Sequence, residues 1–154
     1  MSKIAATVNI VNRKASFNYF ISDSWEAGIV LTGTEIKAIR EGKANLVDAY
    51  CVFKNTELWV KNLHISAYEK GGYTNHAPRE DRKLLLHRYQ LKRILAKLKE
   101  KGVTLIPLRL YIEERGFAKL ELGLARGKKL YDKRDSLKDA EAKRELGRVM
   151  KKDF

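Results

Sequence analysis

The sequence predicts a mainly β protein with inserted helices: an antiparallel β-barrel of about six strands and two or three helices, followed by a basic C-terminal tail. Three observations support this prediction. About six short segments have the composition or the apolar–polar alternation of strands, two helical patterns are inserted between them, and the apolar pattern stops near Ala125. Such an OB-like barrel protects the edges of its strands and leaves one face free to bind nucleic acid.

The first strand is predicted over residues 15–31, where Phe17, Tyr19 and Ile21 alternate with polar neighbours. The polar run at residues 23–26 predicts an interruption, after which the strand resumes. The residues before this strand form a short basic leader.

The first helix begins at Thr32, because Thr32 and Glu35 have the T-x-x-E spacing of a capping box, in which the two side chains bind otherwise free backbone N–H groups. Gly42 stands where a C-terminal cap is expected. Two strands joined by a short polar turn follow, over residues 46–54 and 58–65.

A longer helix is predicted over residues 82–101, with an apolar stripe on one face, lysines and arginines on the other, and Gly102 at its end. The last two strands are predicted over residues 103–112 and 117–125. The second of them alternates cleanly between apolar and charged residues, whereas Pro107 indicates an edge or a bulge in the first.

The composition divides the chain into two expected parts. We expect residues 1–125 to form the OB-like barrel and residues 126–154 to form the tail, which has eleven Lys or Arg against six Asp or Glu. The apolar residues of the tail are too sparse for a core-facing stripe, although its charges recur at helical spacings. We therefore expect a tail that is disordered in the free protein and becomes helical on an anionic partner.

The charge of the whole chain favours a polyanionic partner. There are 32 Lys and Arg against 19 Asp and Glu, a net charge of +13. Uncompensated positive charge repels itself in a folded protein, so nucleic acid is the leading partner and an anionic membrane surface is the alternative. A signal-peptide pattern and a long apolar run are both lacking, and Cys51 has no disulfide partner in the chain. We expect a cytoplasmic protein.

An enzyme is not expected. The histidines His64, His76 and His87 lack the spacing of metal ligands, and no nucleotide-binding or nucleophile motif is present. Cys51 lies among apolar and aromatic residues, which indicates a buried thiol. A metal-independent nuclease built from His and Lys is the enzymatic alternative that stays open. We therefore predict no catalytic residue, no metal and no cofactor.

Three segments combine basic residues with glycine or with a planar side chain. Glycine lets backbone amides approach phosphate, Lys and Arg supply charge, and an aromatic ring can stack on a base, so together these segments predict RNA binding. The three segments are Asn12, Arg13 and Lys14 beside Phe17 and Tyr19; Arg40, Gly42, Lys43 and Asn45; and Arg126, Gly127, Lys128 and Lys129 before Tyr131. The start of the predicted long helix, with Lys83, is a further candidate for RNA binding.

Three longer motifs resemble those of the SsrA-binding protein (SmpB) family. They are EAGIVLTGTEIK at residues 26–37, RKLLLH at residues 82–87 and GKKLYDKR at residues 127–134. Their order and spacing also fit, and the resemblance covers nearly the whole chain.

The resemblance implies an OB-like barrel that binds the tRNA-like domain of transfer-messenger RNA (SsrA). It implies delivery of that RNA, with elongation factor Tu, to stalled ribosomes for trans-translation. The tail would then occupy the empty mRNA path and the decoding site, and the protein would have no catalytic centre. We expect a monomer that does not bind membranes.

The resemblance also assigns roles to individual residues. Glu26 and Leu85 would contact RNA, but Glu26 could instead interrupt a strand, Leu85 could belong to the core, and His87 could be a plain surface histidine. Tyr131 stands where some family members have His, and both rings can stack on a base. The residues matched to RNA contact are Asn12, Glu26, Leu85 and His87. Those matched to the ribosomal function of the tail are Lys128, Lys129, Tyr131, Asp132, Lys133 and Arg134.

Overall fold

The structure is a computed structural model that describes residues 8–72 and 75–128. Within these ranges the protein is mainly β, as the sequence predicts, with nine strands and three short helices. The strands are β1 (Asn9–Val11), β2 (Tyr19–Ile29), β3 (Ala44–Asn45), β4 (Tyr50–Lys54), β5 (Glu57–Lys61), β6 (His64–Ile65), β7 (Arg82–Leu85), β8 (Val103–Ile112) and β9 (Ala118–Gly127). The helices are α1 (Ala15–Asn18), α2 (Gly33–Arg40) and α3 (Arg88–Leu98).

Six of the strands form a closed antiparallel ring. The order is β8-β4-β5-β7-β2-β9, and β9 pairs with β8 to close it. Strand β1 adds to β8 at residues 109–111, and β3 pairs with β6 in a separate small sheet. Closure leaves no free edge among the six strands, so every strand of the ring has a partner on both sides.

The core lies inside the ring, and the clean alternation of the last strand leads directly to it. Ala118, Leu120, Leu122 and Leu124 of β9 are buried, whereas Lys119 and Glu121 are partly exposed. Burying each leucine contributes roughly 2 kcal/mol. In the neighbouring strand β8, the register shifts between Pro107 and Arg109, which confirms the predicted bulge.

The predicted first strand differs from the structure in two ways. Residues 15–18 form α1, and β2 then runs without a break through the expected interruption at residues 23–26. A register shift between Ile21 and Asp23 accommodates the polar run, and Asp23 accepts a hydrogen bond from Lys97 at 2.6 Å. The expected leader also contains β1, whose three residues pair with β8.

The hairpin after the first helix is shorter than predicted. The strand expected over residues 46–54 begins only at Tyr50, and the strand expected over residues 58–65 is divided into β5 and β6. Asn62 lies between these two strands with a φ of 58°, a left-handed conformation that ends β5.

The predicted long helix is wrong at its beginning. Arg82 and Leu84 are buried and alternate with Lys83 and Leu85, so this segment is strand β7 between β5 and β2. Helix α3 begins at Arg88 instead. The period-2 burial of the first four residues explains why Leu84 does not belong to the stripe of the helix.

The capping box is confirmed, and Glu35 also takes part in a buried ion pair. The Glu35 N–H donates to Thr32 Oγ1 at 3.4 Å, and the Thr32 N–H donates to Glu35 Oε1 at 2.9 Å. The other carboxylate oxygen, Oε2, accepts from Arg82 Nε. The same guanidinium donates to the carbonyl oxygens of Leu63 at 2.6 Å and Pro78 at 3.2 Å. One buried arginine therefore connects α2, β7 and two loops.

No helix in the described ranges is long and apolar enough to span a membrane.

Breaking the buried ion pair between Glu35 and Arg82 should strongly destabilise the protein. Glu35→Gln leaves the Arg82 charge buried without a counter-charge, so we expect the free energy of unfolding to fall by about 3–5 kcal/mol in urea titrations. The control is Glu57→Gln, which disrupts the exposed Glu57–Lys83 pair and should change it by less than about 1 kcal/mol. Equal unfolding midpoints for the two variants would contradict the assigned role of the buried pair.

Candidate nucleic-acid interface

An open groove of about 420 Å³ lies where β2, β7, β9 and the start of α3 meet. Gly28 of β2 is paired with Leu85 on one side and with Lys119 on the other, so the sheet itself brings these strands together. A Cβ atom added at Gly28 would lie 3.3 Å from that of Leu85. This is closer than most Cβ contacts, so the pairing of β2 with β7 favours glycine here. The groove is lined by Glu26, Gly28, Leu85, Leu86, His87, Gln90 and Lys119.

Three of the four residues matched to RNA contact meet in this groove. Leu85 is 52% exposed at the end of β7, because it alternates with the buried Leu84. His87 is exposed just before α3, where its backbone N–H donates to Gln90 Oε1 at 3.0 Å. Glu26 is exposed on β2, two residues before Gly28. The groove therefore offers an apolar side chain, an imidazole and a carboxylate to one ligand.

The carboxylate of Glu26 belongs to a network on the outer face of the ring. It lies beside the Tyr111 hydroxyl, and the guanidinium of Arg109 lies over the Tyr111 ring, 4.2 Å from its centroid. Arg109 Nε also donates to Glu121 at 2.5 Å, and Glu121 is the cross-strand neighbour of Glu26. Burial raises the pKa of Tyr111, and its interaction with the Glu26 carboxylate raises it further. The phenol therefore stays protonated beside Glu26.

Asn12, the fourth matched residue, lies away from the groove. It is buried, and its Nδ2 donates to the carbonyl oxygens of Leu46 at 3.3 Å and Pro107 at 3.0 Å. Its Oδ1 has no hydrogen-bond partner in the part of the chain that the structure describes. Asn12 lines a second cavity of about 410 Å³ together with Lys14, and Arg13 beside it is exposed. This geometry tethers the segment before α1 to the ring.

The basic cluster at the end of α2 also lies outside the groove. Gly42 has a φ of 75°, as expected for a helix C-terminal cap, and Arg40 is exposed. Lys43 Nζ lies 3.2 Å from a carboxylate oxygen of Glu41, and this hydrogen bond together with the charge of a second glutamate raises the pKa of Lys43. Asn45 Oδ1 accepts the N–H of the second residue after it, which fixes a turn.

Lys83 lies two residues before Leu85 on β7, half-exposed, with its Nζ 3.0 Å from Glu57. The third basic cluster continues β9 instead of beginning a separate segment. Arg126 and Gly127 are the last residues of that strand, and Gly127 pairs with Tyr19 at the start of β2.

The Lys128 backbone and side chain both contact the segment before β2. Its N–H donates to the carbonyl oxygen of Asn18, and its Nζ donates to that of Ser16, both at 2.9 Å. The Nζ also lies 4.9 Å from the centroid of the Phe20 ring. Lys129, Tyr131, Asp132, Lys133 and Arg134 lie outside the described residues.

The profile of the family described as SmpB protein matches residues 9–152 of the sequence. The chain belongs to the SmpB family. Relatives named SsrA-binding protein include one from Cytophaga hutchinsonii that is 55% identical over 96% of this chain and 96% of its own length. Another, from Bacteroides thetaiotaomicron, is 53% identical over 95% of this chain and 97% of its own. A third, from Moorella thermoacetica, is 51% identical over 91% and 90%.

A solved structure agrees with this membership of the SmpB family. It is described as "tmRNA-SmpB: a journey to the center of the bacterial ribosome", and one of its chains is 49% identical to this one. The two chains superpose with a TM-score of 0.70 over 80% of this chain and 87% of that one.

Residues 8–72 and 75–128 contain no group of three or more His, Cys, Asp or Glu placed to hold a metal ion. Cys51 is buried in β4, and burial raises the pKa of its thiol, as expected for a thiol that packs instead of reacting. Both ring nitrogens of His76 are hydrogen-bonded, to Thr34 Oγ1 and to backbone carbonyl oxygens.

Sequence reasoning missed three residues beside the groove. Tyr111 comes to lie beside Glu26, and Arg109 beside Glu121, only through the pairing of β8, β9 and β2, which no local pattern reveals. Tyr89 stacks on His87 with ring centroids 5.6 Å apart. Tyr89 could have been noticed as an aromatic residue outside the apolar stripe, had the start of α3 been placed correctly.

The raised pKa of Tyr111 predicts a pH-dependent contribution to stability. Above about pH 10, the ordinary tyrosine pKa, the unfolded chain releases this proton while the folded protein retains it, so stability should fall as pH rises. In Tyr111→Phe, urea midpoints measured from about pH 8 to about pH 11 should fall less steeply. Tyr50→Phe, which alters an exposed ring on β4, should follow the wild type. A Tyr111→Phe curve as steep as that of the wild type would contradict this environment for Tyr111.

Proposed function

We propose that this chain binds the tRNA-like domain of transfer-messenger RNA (SsrA) and delivers it to stalled ribosomes for trans-translation. The observation that carries the proposal is the groove of Glu26, Leu85 and His87 on a chain with a net charge of +13. Its family membership and its SsrA-binding relatives support the same function. Elongation factor Tu is proposed as a further member of the delivery complex.

The chemistry of the groove suits a folded RNA. The exposed face of Leu85 can pack on an unstacked base, and the ring of His87 can stack on one. Lys119 supplies positive charge for phosphate. The carboxylate of Glu26, which lies beside Tyr111, can accept from a guanine edge or a ribose hydroxyl. Glu26 thus adds selectivity to an affinity that the basic residues supply.

We propose that the protein acts by binding and not by catalysis, as a monomer in the cytoplasm and without a cofactor. The basic clusters around Arg13, Lys43 and Arg126 would extend the contact with RNA, and Asn12 would position the first of them through its hydrogen bonds to the ring. For the tail, we propose that Tyr131 and the charged residues around it enter the empty mRNA path and the decoding site, helical there and disordered in the free protein. Acidic and basic residues recur at helical spacings in residues 129–154, and this pattern supports latent helicity.

Competition between RNAs tests this function against simple charge attraction. We expect the tRNA-like domain of transfer-messenger RNA to displace a labelled copy of itself far better than bulk tRNA does at about 150 mM salt. A generic cationic or membrane-surface protein would bind both RNAs equally, and its affinity would collapse with salt. Equal competition would overturn the proposal.

Removing the carboxylate of Glu26 should weaken specific binding although the protein becomes more basic. We expect Glu26→Ala to raise the Kd for the tRNA-like RNA by about tenfold, the scale of one hydrogen bond to a charged group. The matched control is Glu80→Ala, which makes the same change of charge at an exposed position outside the groove. Tighter specific binding by Glu26→Ala would remove Glu26 from the site.

Truncation should separate the RNA-binding role of the ring from the ribosomal role of the tail. Ending the chain after Lys128 keeps β9 and the contacts of Lys128 with Ser16 and Asn18. We expect this variant to unfold at the wild-type urea midpoint and to keep its preference for the tRNA-like RNA, while tagging of stalled proteins on ribosomes is lost. Loss of RNA preference as complete as the loss of tagging would contradict the proposed division of roles.

A further inference from the structure

We propose that Tyr89 is an additional RNA-binding residue whose ring, stacked on His87, extends the groove into a platform for an unpaired nucleobase. This inference rests on the proposed RNA-binding function and adds a contact to it. Neither the motif that contains His87 nor the charge of the chain singles out Tyr89.

The geometry of the ring pair supports a platform. The planes of His87 and Tyr89 are within 8° of parallel, with centroids 5.6 Å apart, so the rings are stacked with an offset. Tyr89 is 68% exposed, the largest exposed fraction of any large hydrophobic residue in the described ranges. A ring held parallel to a neighbour and open to solvent presents a flat surface of the kind that bases stack on.

The backbone under this pair is held in place before any ligand binds. The His87 N–H donates to the side chain of Gln90, and the His87 carbonyl oxygen accepts from the Leu91 N–H at 3.0 Å. Tyr89 therefore stands in the first turn of a capped helix instead of in a loop. A contact that is already in place loses less conformational entropy on binding, so it contributes more to affinity.

The surroundings favour RNA over other partners for the platform. His87 lines the groove of Glu26 and Leu85 and also stacks on Tyr89, so the platform is continuous with the proposed site. The side chains of Arg88, Lys92 and Arg93 on the same helix are exposed and positive. Cations beside an exposed aromatic ring match a nucleotide, which has a phosphate as well as a base.

Substitution in the full-length protein measures the contribution of the ring. We expect Tyr89→Ala to raise the Kd for the tRNA-like RNA by about 5- to 20-fold, whereas Tyr89→Phe, which keeps the ring, should bind like the wild type. The matched control is Leu95→Ala, which removes another exposed apolar side chain from α3 outside the groove and should leave this Kd unchanged. An unchanged Kd for Tyr89→Ala, or an equal loss in Leu95→Ala, would overturn the inference.

Salt dependence separates stacking from charge. Because a stacked base displaces no counterions, the ratio of the Tyr89→Ala Kd to the wild-type Kd should stay constant between about 50 mM and about 200 mM salt. The same ratio for Lys119→Ala should shrink as salt rises. A Tyr89→Ala ratio that falls in parallel with that of Lys119→Ala would contradict stacking.

Cross-linking locates the contact directly. Tyr89 follows Arg88, and trypsin therefore releases it in the short peptide Tyr89–Lys92. After ultraviolet irradiation of the complex with labelled tRNA-like RNA, we expect a labelled nucleotide adduct on this peptide. An excess of the same RNA without the label should abolish the labelled adduct. An adduct only on other peptides would overturn the proposal, and so would attachment of Tyr89 to a protein partner with none to RNA.

These results are distinguishable from a failure of the proposed function itself. If the wild-type protein prefers the tRNA-like RNA and Glu26→Ala loses that preference, the function stands, and an unaffected Tyr89→Ala rejects only the platform. If the wild type has no preference for the tRNA-like RNA, the function and the platform fall together.

Discussion

The buried ion pair between Arg82 and Glu35 is the interaction on which the position of the groove depends. A guanidinium in the interior is costly unless its charge is paired and its N–H groups find acceptors. Arg82 reduces this cost by binding the carboxylate that caps α2 and the carbonyl oxygens of Leu63 and Pro78. Since β7 runs from Arg82 directly to Leu85, the same interaction fixes where the apolar wall of the groove lies.

On the outer surface, the arrangement of charges matters more than their number. A chain of +13 attracts any polyanion, so affinity alone cannot identify a partner. At the groove, however, the carboxylate of Glu26 lies beside the Tyr111 hydroxyl, and the neighbouring Glu121 is paired with Arg109. A fixed negative group in a basic surface repels phosphate and accepts hydrogen bonds only from particular RNA groups. The network therefore gives the proposed site a physical basis for selectivity.

Local patterns predicted those features that local chemistry determines. The capping box at Thr32, the bulge at Pro107 and the inward face of β9 each follow from a few neighbouring residues, and the structure confirms all three. The missed strand β7 has a different origin, because Arg82 looks like a surface residue until its distant partners are known. The same is true of Tyr111, which only the pairing of β8, β9 and β2 brings to Glu26. Long-range pairing was thus the part that sequence reasoning could not supply.

The length of β2 gives a physical reason why two functions can share one small fold. The groove lies at one end of this strand, where Gly28 pairs with Leu85 and Lys119. The last described residues leave from the other end, where Tyr19 pairs with Gly127. Nine residues of extended strand separate these two points by roughly 30 Å. An RNA in the groove therefore need not cover the end of β9, from which the proposed tail would continue, and the closed ring between these points sets the distance that the proposed complex must span.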